Sequence, residues 1–295
     1  MVLLLLACVG EIGGIVTPDS GTDSESTDDS VPDDTLLNRR RLAVGSQHNC
    51  LLETDGTAKC WGSDSDGQST PPDVKLRRIS AGGSSTCGLD VDGLVHCWGA
   101  ALDGAPGGDG YDDIDLGTGH ACALHSDMHV DCWGADSFGE TSAPSGKLVA
   151  VSAGDGVSCG LAPSQTITCW GGSGESADAP SGQFDEIDIG SRTGCGVKSS
   201  DGSVACWGRD NYEQAKPPTG SFTEVATGMD SSCAVDDAGI ATCWGDASDG
   251  IGDPPDSGLR AVGVGWDHAC GVEGDDAIAC WGTDSSGTGV LTPPS

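Results

Sequence analysis

The feature that most constrains the fold of this chain is a tryptophan–glycine pair that recurs seven times at a nearly fixed interval. Consecutive tryptophans of the series lie 35 or 37 residues apart, and each directly follows a cysteine. A repeat of this length is typical of proteins that stack or ring one small structural unit. The tryptophans that define the repeat are Trp61, Trp98, Trp133, Trp170, Trp207, Trp244 and Trp281.

Each repeat contains a predicted β-hairpin bounded by two cysteines. In the second repeat, Cys87 and Cys97 flank an Asp92-Gly93 turn, and pairing them leaves a three-residue loop that ends on glycine. The last residue of such a loop is left-handed, a conformation that glycine adopts without steric cost. Directly opposed cysteines on antiparallel strands can form a disulfide. The predicted pairs are Cys50 with Cys60, Cys87 with Cys97, Cys122 with Cys132, Cys159 with Cys169, Cys195 with Cys206, Cys233 with Cys243, and Cys270 with Cys280.

The spacing of these cysteines and the charge of the chain limit the classes of function. The gaps within pairs are longer than typical zinc-ligand spacings, and seven disulfides require an oxidising compartment, so we expect an exported protein. The formal net charge is −33. Such an acidic surface repels phosphate backbones and disfavours nucleic-acid binding. The charge is explained either by a surface that is simply well solvated or by a surface that binds a basic partner protein.

The first 37 residues predict export and a tether. An apolar run ends at Cys8 and resembles the lipobox of bacterial lipoproteins, although it is too short to span a bilayer. The missing basic region favours a natural start upstream of Met1. We expect residues 1–8 to be a signal segment with a lipidated Cys8, or else an ordinary secretory segment. Residues 9–37 are acidic and predicted to be a disordered linker, leaving residues 38–295 as the folded domain.

Two further periodic positions complete the repeat. Eight residues before the first cysteine of each pair lies an aliphatic residue, such as Ile79, and five residues before it lies a glycine, such as Gly82. We interpret this segment as a strand A, followed by hairpin strands B and C. The segments after each Trp-Gly are rich in Gly, Pro, Ser and Asp, which favours three-stranded units with a fourth strand only in part.

These motifs resemble the repeat of the regulator-of-chromosome-condensation family in a short bacterial form. The resemblance is carried by Val151-Ser-Ala-Gly154, His120-Ala-Cys122-Ala-Leu124, Asp201-Gly202 and Cys206-Trp207-Gly208. It implies an all-β, seven-bladed β-propeller. The family includes a nuclear nucleotide-exchange factor for a small GTPase, and a bacterial relative with short blades is a secreted β-lactamase inhibitor. No motif of this chain indicates either activity.

The candidate binding residues are those that the repeat itself does not explain. Three aromatic residues outside the repeating set, Phe138, Tyr212 and Trp266, are predicted to share one face of the propeller with the loops that follow each Trp-Gly. Four of these loops carry an acidic residue three positions after the tryptophan: Asp64, Asp136, Asp210 and Asp284. Calcium binding by these acids is an alternative to an ordinary turn role, and no other cofactor or metal is predicted.

Two further patterns have plain structural explanations. His48, His120 and His268 recur two residues before the first cysteine, where we expect a polar residue that satisfies turn backbone. The segment from Gly156 to Gly160 matches the nucleophile elbow but lacks its strand-to-helix context.

We therefore predict a monomeric, non-enzymatic binding module, secreted or held at an outer membrane or cell surface only through lipid. Its partner is an unknown protein that fits an acidic surface. The alternatives are a hydrolase or lyase with a shallow acidic or metal-assisted site on the loop face, and a purely structural surface protein. A convergent set of perturbed carboxylates would favour the enzyme.

Overall fold

The computed structural model describes residues 41–172, 178–246 and 248–294. The predicted signal segment, Cys8 and the linker lie outside these described residues. All of the described residues belong to one compact unit. Every regular element in the described part of this unit is a β-strand, as strand-forming runs separated by turn residues predict.

The described strands form seven three-stranded antiparallel sheets, or blades, each made of three consecutive strands. We call these strands A, B and C in chain order. In blades 1 to 4 they are β1 (Leu42–Val44), β2 (His48–Leu52), β3 (Ala58–Gly62); β4 (Leu76–Gly82), β5 (Ser85–Asp90), β6 (Val95–Gly99); β7 (Tyr111–Leu116), β8 (His120–His125), β9 (Val130–Gly134); β10 (Ala150–Ala153), β11 (Val157–Leu161), β12 (Ile167–Gly171). In blades 5 to 7 they are β13 (Phe184–Ile189), β14 (Thr193–Lys198), β15 (Val204–Gly208); β16 (Glu224–Thr227), β17 (Ser231–Val235), β18 (Ala241–Gly245); β19 (Leu259–Val264), β20 (His268–Glu273), β21 (Ile278–Gly282).

The register of the hairpins confirms the predicted disulfides. The two cysteines of each blade lie directly opposite each other on strands B and C. The first cysteine of every pair is fully buried, whereas the second, on the outer strand, is partly exposed or exposed. All seven predicted disulfides are present, and they join Cys50 to Cys60, Cys87 to Cys97, Cys122 to Cys132, Cys159 to Cys169, Cys195 to Cys206, Cys233 to Cys243, and Cys270 to Cys280.

The prediction of a seven-bladed propeller is likewise confirmed by the seven separate sheets. A fourth strand, which we expected in part, does not form in the described residues. The Pro-rich segments after strand C contain turns and bends instead. Proline lacks the backbone N–H that a ladder of hydrogen bonds requires, which explains why these segments add no strand.

The hydrophobic core is divided among the seven boundaries between neighbouring blades. At the boundary of blades 3 and 4, Cys122 and Leu124 pack against Leu148, Val151 and Trp170. A similar cluster fills each of the other boundaries, including that between blades 7 and 1. The predicted core role of the periodic aliphatic residues and of the tryptophans is thereby confirmed. Since burial of apolar area is the main favourable term in folding, each blade depends on both of its neighbours.

A ring of seven glycines surrounds the axis at the end of strand A. A Cβ atom added to Gly82, Gly117 or Gly154 would collide with a carbonyl oxygen of the next blade. The same backbone approach recurs from Gly190 to Gly228 and from Gly228 to Gly265. Only glycine permits so close an approach of two backbones. This contact explains the glycine five positions before the first cysteine in six of the seven blades, whereas a Cβ atom added to Gly45 would instead meet the imidazole of His48.

The hairpin loops confirm the predicted left-handed position but not its restriction to glycine. Gly93 closes its three-residue loop with a φ of 81°. At the equivalent loop position, Met128, Gln165 and Asp276 also adopt positive φ values of 73°, 64° and 66°. The disulfide and the flanking strands therefore hold non-glycine residues in a conformation that costs on the order of 1 kcal/mol.

Candidate functional site

The propeller has two faces of different character. Strand A runs in the same direction in all blades, so the turns between strands A and B lie on one side together with the loops that follow strand C. We call this side the A–B face, and the opposite side, with the turns between strands B and C, the hairpin face. Phe138, in the loop after β9, lies against Gly156 in the A–B turn of blade 4. This contact confirms that loops and A–B turns share a face.

The predicted acidic residues lie in these loops, and their carboxylates accept hydrogen bonds from the loops themselves. Asp64 accepts from the backbone N–H of Ser69 at 2.8 Å. Asp284 accepts from that of Gly289 at 2.8 Å. Asp136 and Asp210 accept in the same way from the residues five positions later, at 3.0 and 3.1 Å. The hydrogen bonds from Thr141 lower the pKa of Asp136. Loop closure is therefore one role of these aspartates, and partner binding stays a prediction.

Several of these loops also join one blade to the next. The carbonyl oxygen of Glu140 accepts a hydrogen bond from the indole nitrogen of Trp170 at 2.9 Å. Gln68 and Gln214 accept in the same way from the tryptophans of blades 2 and 6. A buried indole N–H requires a partner. In these three loops the indole N–H of the next blade's tryptophan therefore fixes the loop backbone and holds the outer surface of the loop in place.

The three predicted aromatic residues are exposed on the A–B face. The exposed fractions are 54% for Phe138, 45% for Tyr212 and 42% for Trp266. They belong to blades 3, 5 and 7, so they do not form a single cluster. The guanidinium of Arg209 lies 5.9 Å from the centre of the Tyr212 ring, within the range of a cation–π contact.

The hairpin face also carries exposed apolar side chains, but all of them are aliphatic. Val91 is 72% exposed and Ile240 is 50% exposed, each in or beside a hairpin turn. Leu94 and Met128 are exposed to a smaller degree. We did not predict these residues, because hairpin turns of similar length look alike in sequence. They offer natural controls for experiments on the A–B face.

The three recurring histidines are buried connectors between blades. His48 lies 2.8 Å from the hydroxyl of Thr86, and His268 lies 2.9 Å from the side-chain oxygen of Asn49. Each partner belongs to the next blade. The predicted structural role of these histidines is confirmed, but the ring nitrogens pair with side chains of the next blade, where we had expected turn backbone. Burial, together with the nearby His268, lowers the pKa of His48 to about 4, so the imidazole is neutral at pH 7.

One of these connectors has the composition of a catalytic pair without access to substrate. His120 Nε2 lies 2.7 Å from Ser158 Oγ. Ser158 is the serine of the Gly-x-Ser-x-Gly sequence, and it lies within strand β11. Both side chains are buried. A nucleophile has to reach its substrate, and this buried pair is not placed to do so; it joins blades 3 and 4.

A central cavity of about 270 Å³ runs along the axis, lined by the seven A strands. A belt of polar side chains lies along its wall. The carboxylate of Asp115 accepts hydrogen bonds from the hydroxyls of Ser80, at 2.8 Å, and Ser152, at 3.0 Å. That of Asp188 accepts from the backbone N–H of Thr227 at 2.6 Å and from its hydroxyl. The backbone N–H of Ile189 in blade 5 donates to the hydroxyl of Ser152 in blade 4 at 3.0 Å, so the belt ties together five successive blades, from blade 2 to blade 6.

Burial changes the protonation of the acids in this belt. Desolvation and the nearby Asp188 raise the pKa of Asp115 to about 7. Burial also raises the pKa of Asp188, against the hydrogen bonds from Thr227. The position seven residues before the first cysteine alternates between Ser and Asp from Ser80 to Asp188. Sequence reasoning missed this signal because it treated strand A only as core.

A search of the described residues finds no group of three or more His, Cys, Asp or Glu side chains arranged to hold a metal ion. In the same part of the chain, no helix has the length and apolar character needed to cross a bilayer.

Comparison with known proteins identifies the repeat. Residues 40–68 match the model of the Regulator of chromosome condensation (RCC1) repeat. No curated protein matches the chain in sequence.

Several solved structures share the fold. The ectodomain of the Physcomitrella patens receptor kinase CR4 is 26% identical, with a TM-score of 0.69 over 82% of this chain and 72% of that one. The CRINKLY WD40 ectodomain of the Arabidopsis thaliana receptor kinase ACR4 is 24% identical, with a TM-score of 0.71 over 86% of this chain and 97% of that one. Prp20p from Saccharomyces cerevisiae, described together with its binding to Gsp1p and histones, is 16% identical, with a TM-score of 0.66 over 76% of this chain and 80% of that one.

Proposed function

We propose that this chain, a propeller of RCC1-type repeats, is an exported protein-binding module whose partner contacts the A–B face. The observation that carries the proposal is the exposure of Phe138, Tyr212 and Trp266 on loops and turns that the rigid ring holds in place. Large aromatic side chains dominate the energetics of many protein interfaces. The aspartates of the same loops would meet Lys or Arg of the partner.

Three other findings support the proposal. Two of the similar structures are ectodomains of receptor kinases. Prp20p is described with its binding to two kinds of protein, which offers a precedent for protein recognition on this fold. Seven disulfides suit an extracellular or otherwise oxidising location.

Affinity capture with matched variants tests this function. The full chain, with its disulfides formed, is used to capture proteins from a surface extract of its own source. We expect captured proteins to be lost with Phe138→Ala, Tyr212→Ala and Trp266→Ala combined. They should be retained with the hairpin-face variant Val91→Ala/Ile240→Ala. Capture that depends on the hairpin-face residues, or no specific capture at all, contradicts the proposal.

We further propose that Cys8 carries lipid and holds the propeller at a membrane surface through the acidic linker. The apolar run before Cys8 and the absence of a repeat partner for this cysteine support this proposal. With a complete signal sequence supplied, Cys8→Ser should release the protein into the soluble fraction. Retention of Cys8→Ser on the membrane, or a wild-type protein that is already soluble, contradicts it.

A further inference from the structure

Three exposed apolar side chains lie on consecutive blades of the A–B face. Tyr212 is in the loop after β15 and reaches blade 6, Met229 is in the A–B turn of blade 6, and Trp266 is in that of blade 7. Their exposed fractions are 45%, 36% and 42%. We call these three residues the strip. Met229 and Trp266 occupy the same position of the repeat, directly after the ring glycine, where the first three blades have the small residues Ser46, Gly83 and Thr118.

A chain of contacts links the segments that carry the strip. Arg209 lies beside the Tyr212 ring, and its Nη1 is 3.1 Å from Oδ1 of Asp230. Asp230 directly follows Met229. The backbone N–H of Met229 donates in turn to the carbonyl of Gly265, at 3.3 Å, and Gly265 directly precedes Trp266. These contacts link the segments that carry Tyr212, Met229 and Trp266 from blade 5 to blade 7, and Met229 and Trp266 also line the mouth of the central cavity.

The strip is held rigidly. The backbone N–H of Trp266 donates to the carbonyl of Ser46 in blade 1, as that of Met229 does to Gly265. Tyr212 is fixed through its backbone N–H, which donates to the side chain of the buried Gln214 at 2.8 Å. A surface that is ordered before binding loses less conformational entropy on association. Exposed aromatic and methionine side chains on such a surface are features of protein interfaces.

The charges beside the strip set the chemistry of its partner. Asp230 and Asp267 directly follow Met229 and Trp266, and Asp246 donates its backbone N–H to the carbonyl of Asp230. Asp246 and Asp267 both act on Asp249, where they add to the effect of burial in raising its pKa. The nearby cations are already paired, Arg209 with Asp230 and Lys216 with Asp210 and Glu213. An apolar strip with this border attracts a basic partner and repels an acidic one.

We propose that the strip is the docking site for a segment of a partner protein in which a large apolar side chain is adjacent to Lys or Arg. This inference rests on the proposed function and deepens it. The apolar side chain packs on Met229 and Trp266, and the cation meets the carboxylates that border them. Phe138, in the loop between blades 3 and 4, lies outside this site.

Selection from random peptides tests the inference while the partner is still unidentified. Phage-displayed linear peptides are selected on the full oxidised chain, and the enriched peptides are synthesised and titrated. We expect a large apolar residue next to Lys or Arg, and an affinity that falls about tenfold with Met229→Ser or Trp266→Ser. The matched control on the hairpin face, Val91→Ser, should leave the affinity unchanged. Near-ultraviolet circular dichroism of each variant verifies the fold.

The other outcomes each overturn the inference. Enriched peptides that are acidic or uncharged contradict the partner chemistry, and peptides that bind Trp266→Ser as well as wild type contradict the location. No enrichment contradicts docking of a linear segment. The proposed function is tested separately. If protein capture depends on Phe138 but not on Met229 and Trp266, the A–B face binds a partner and the proposed function stands, but the strip is not its docking site and the inference fails.

Discussion

The indole nitrogen of Trp61 donates a hydrogen bond to the carbonyl oxygen of Val290, 2.9 Å away and 229 positions later in the chain. The side-chain amide of Asn49 donates to the same oxygen at 3.0 Å. Blade 1 is thereby joined to the loop after blade 7. Within the described residues the first and last blades share no strand. The ring is closed by these side-chain donors, by the apolar cluster at the same boundary, and by the hydrogen bonds that join His268 to Asn49 and Trp266 to Ser46.

Trp61→Phe is expected to lower the free energy of unfolding more than the same change in blade 3. The substitution removes the indole donor and costs about 1–2 kcal/mol in hydrogen bonding beyond the loss of packing. The matched control is Trp133→Phe, because the indole nitrogen of Trp133 has no hydrogen-bond partner in the described part of the chain. Chemical denaturation of both variants measures the difference. Equal losses of stability would show that the bond to Val290 contributes nothing to closure.

Gly154→Ala is expected to prevent normal closure of the ring. The added Cβ would collide with the carbonyl oxygen of Gly190 and lie 2.8 Å from a methyl group of Ile189. Neither backbone can move without shifting its blade, so the loss should reach about 3 kcal/mol or more. Gly146→Ala is the control, since nothing lies within 4 Å of its added Cβ. Thermal unfolding checks both, and a tolerated Gly154→Ala would contradict the glycine ring.

His48 should make the protein less stable in mild acid. Its pKa is about 4 in the folded protein, against an ordinary value of 6.5. Between these values the unfolded chain binds a proton that the folded protein does not, so stability falls as pH is lowered from 6.5 to 4. His48→Ser removes this dependence and introduces the residue that blades 2 and 6 carry at the same position. Denaturation of both proteins at pH 7 and pH 5 tests this prediction. If His48→Ser loses as much stability between the two pH values as wild type does, the prediction is wrong.

Asp115 should have the opposite effect on the pH dependence of stability, because it favours the folded protein more as the pH falls. Its pKa is about 7 in the folded protein against an ordinary 3.8. The folded protein therefore binds the proton more readily, and this contribution to stability is fully present below pH 3.8 and is lost as pH rises through about 7. Asp115→Asn mimics the protonated form, so we expect it to stabilise the protein at pH 8 relative to wild type. If Asp115→Asn is less stable than wild type at pH 8 and its stability keeps the wild-type pH dependence, the charged carboxylate of Asp115 does not destabilise the folded protein.

The fold can be predicted in detail from the sequence because each repeat carries residues whose structural requirements are specific. Paired cysteines specify the hairpin register, and the glycine before strand B corresponds to a backbone contact that admits no side chain. The polar belt from Ser80 to Thr227 was missed, since its members come together only when separate A strands meet around an axis. Met229 was missed for a related reason: its importance depends on its neighbour Trp266, 37 positions later, and on the exposure of both.

Hydroxyl-radical footprinting of the full oxidised chain, with and without its captured partner, tests the central claim most directly. The reagent modifies exposed aromatic, methionine and aliphatic side chains on both faces, so one experiment compares them. We predict that the partner protects Tyr212, Met229 and Trp266 and leaves Val91 and Ile240 as reactive as in the free protein. Protection of Val91 and Ile240, with the A–B face unchanged, would contradict the assignment of the binding face.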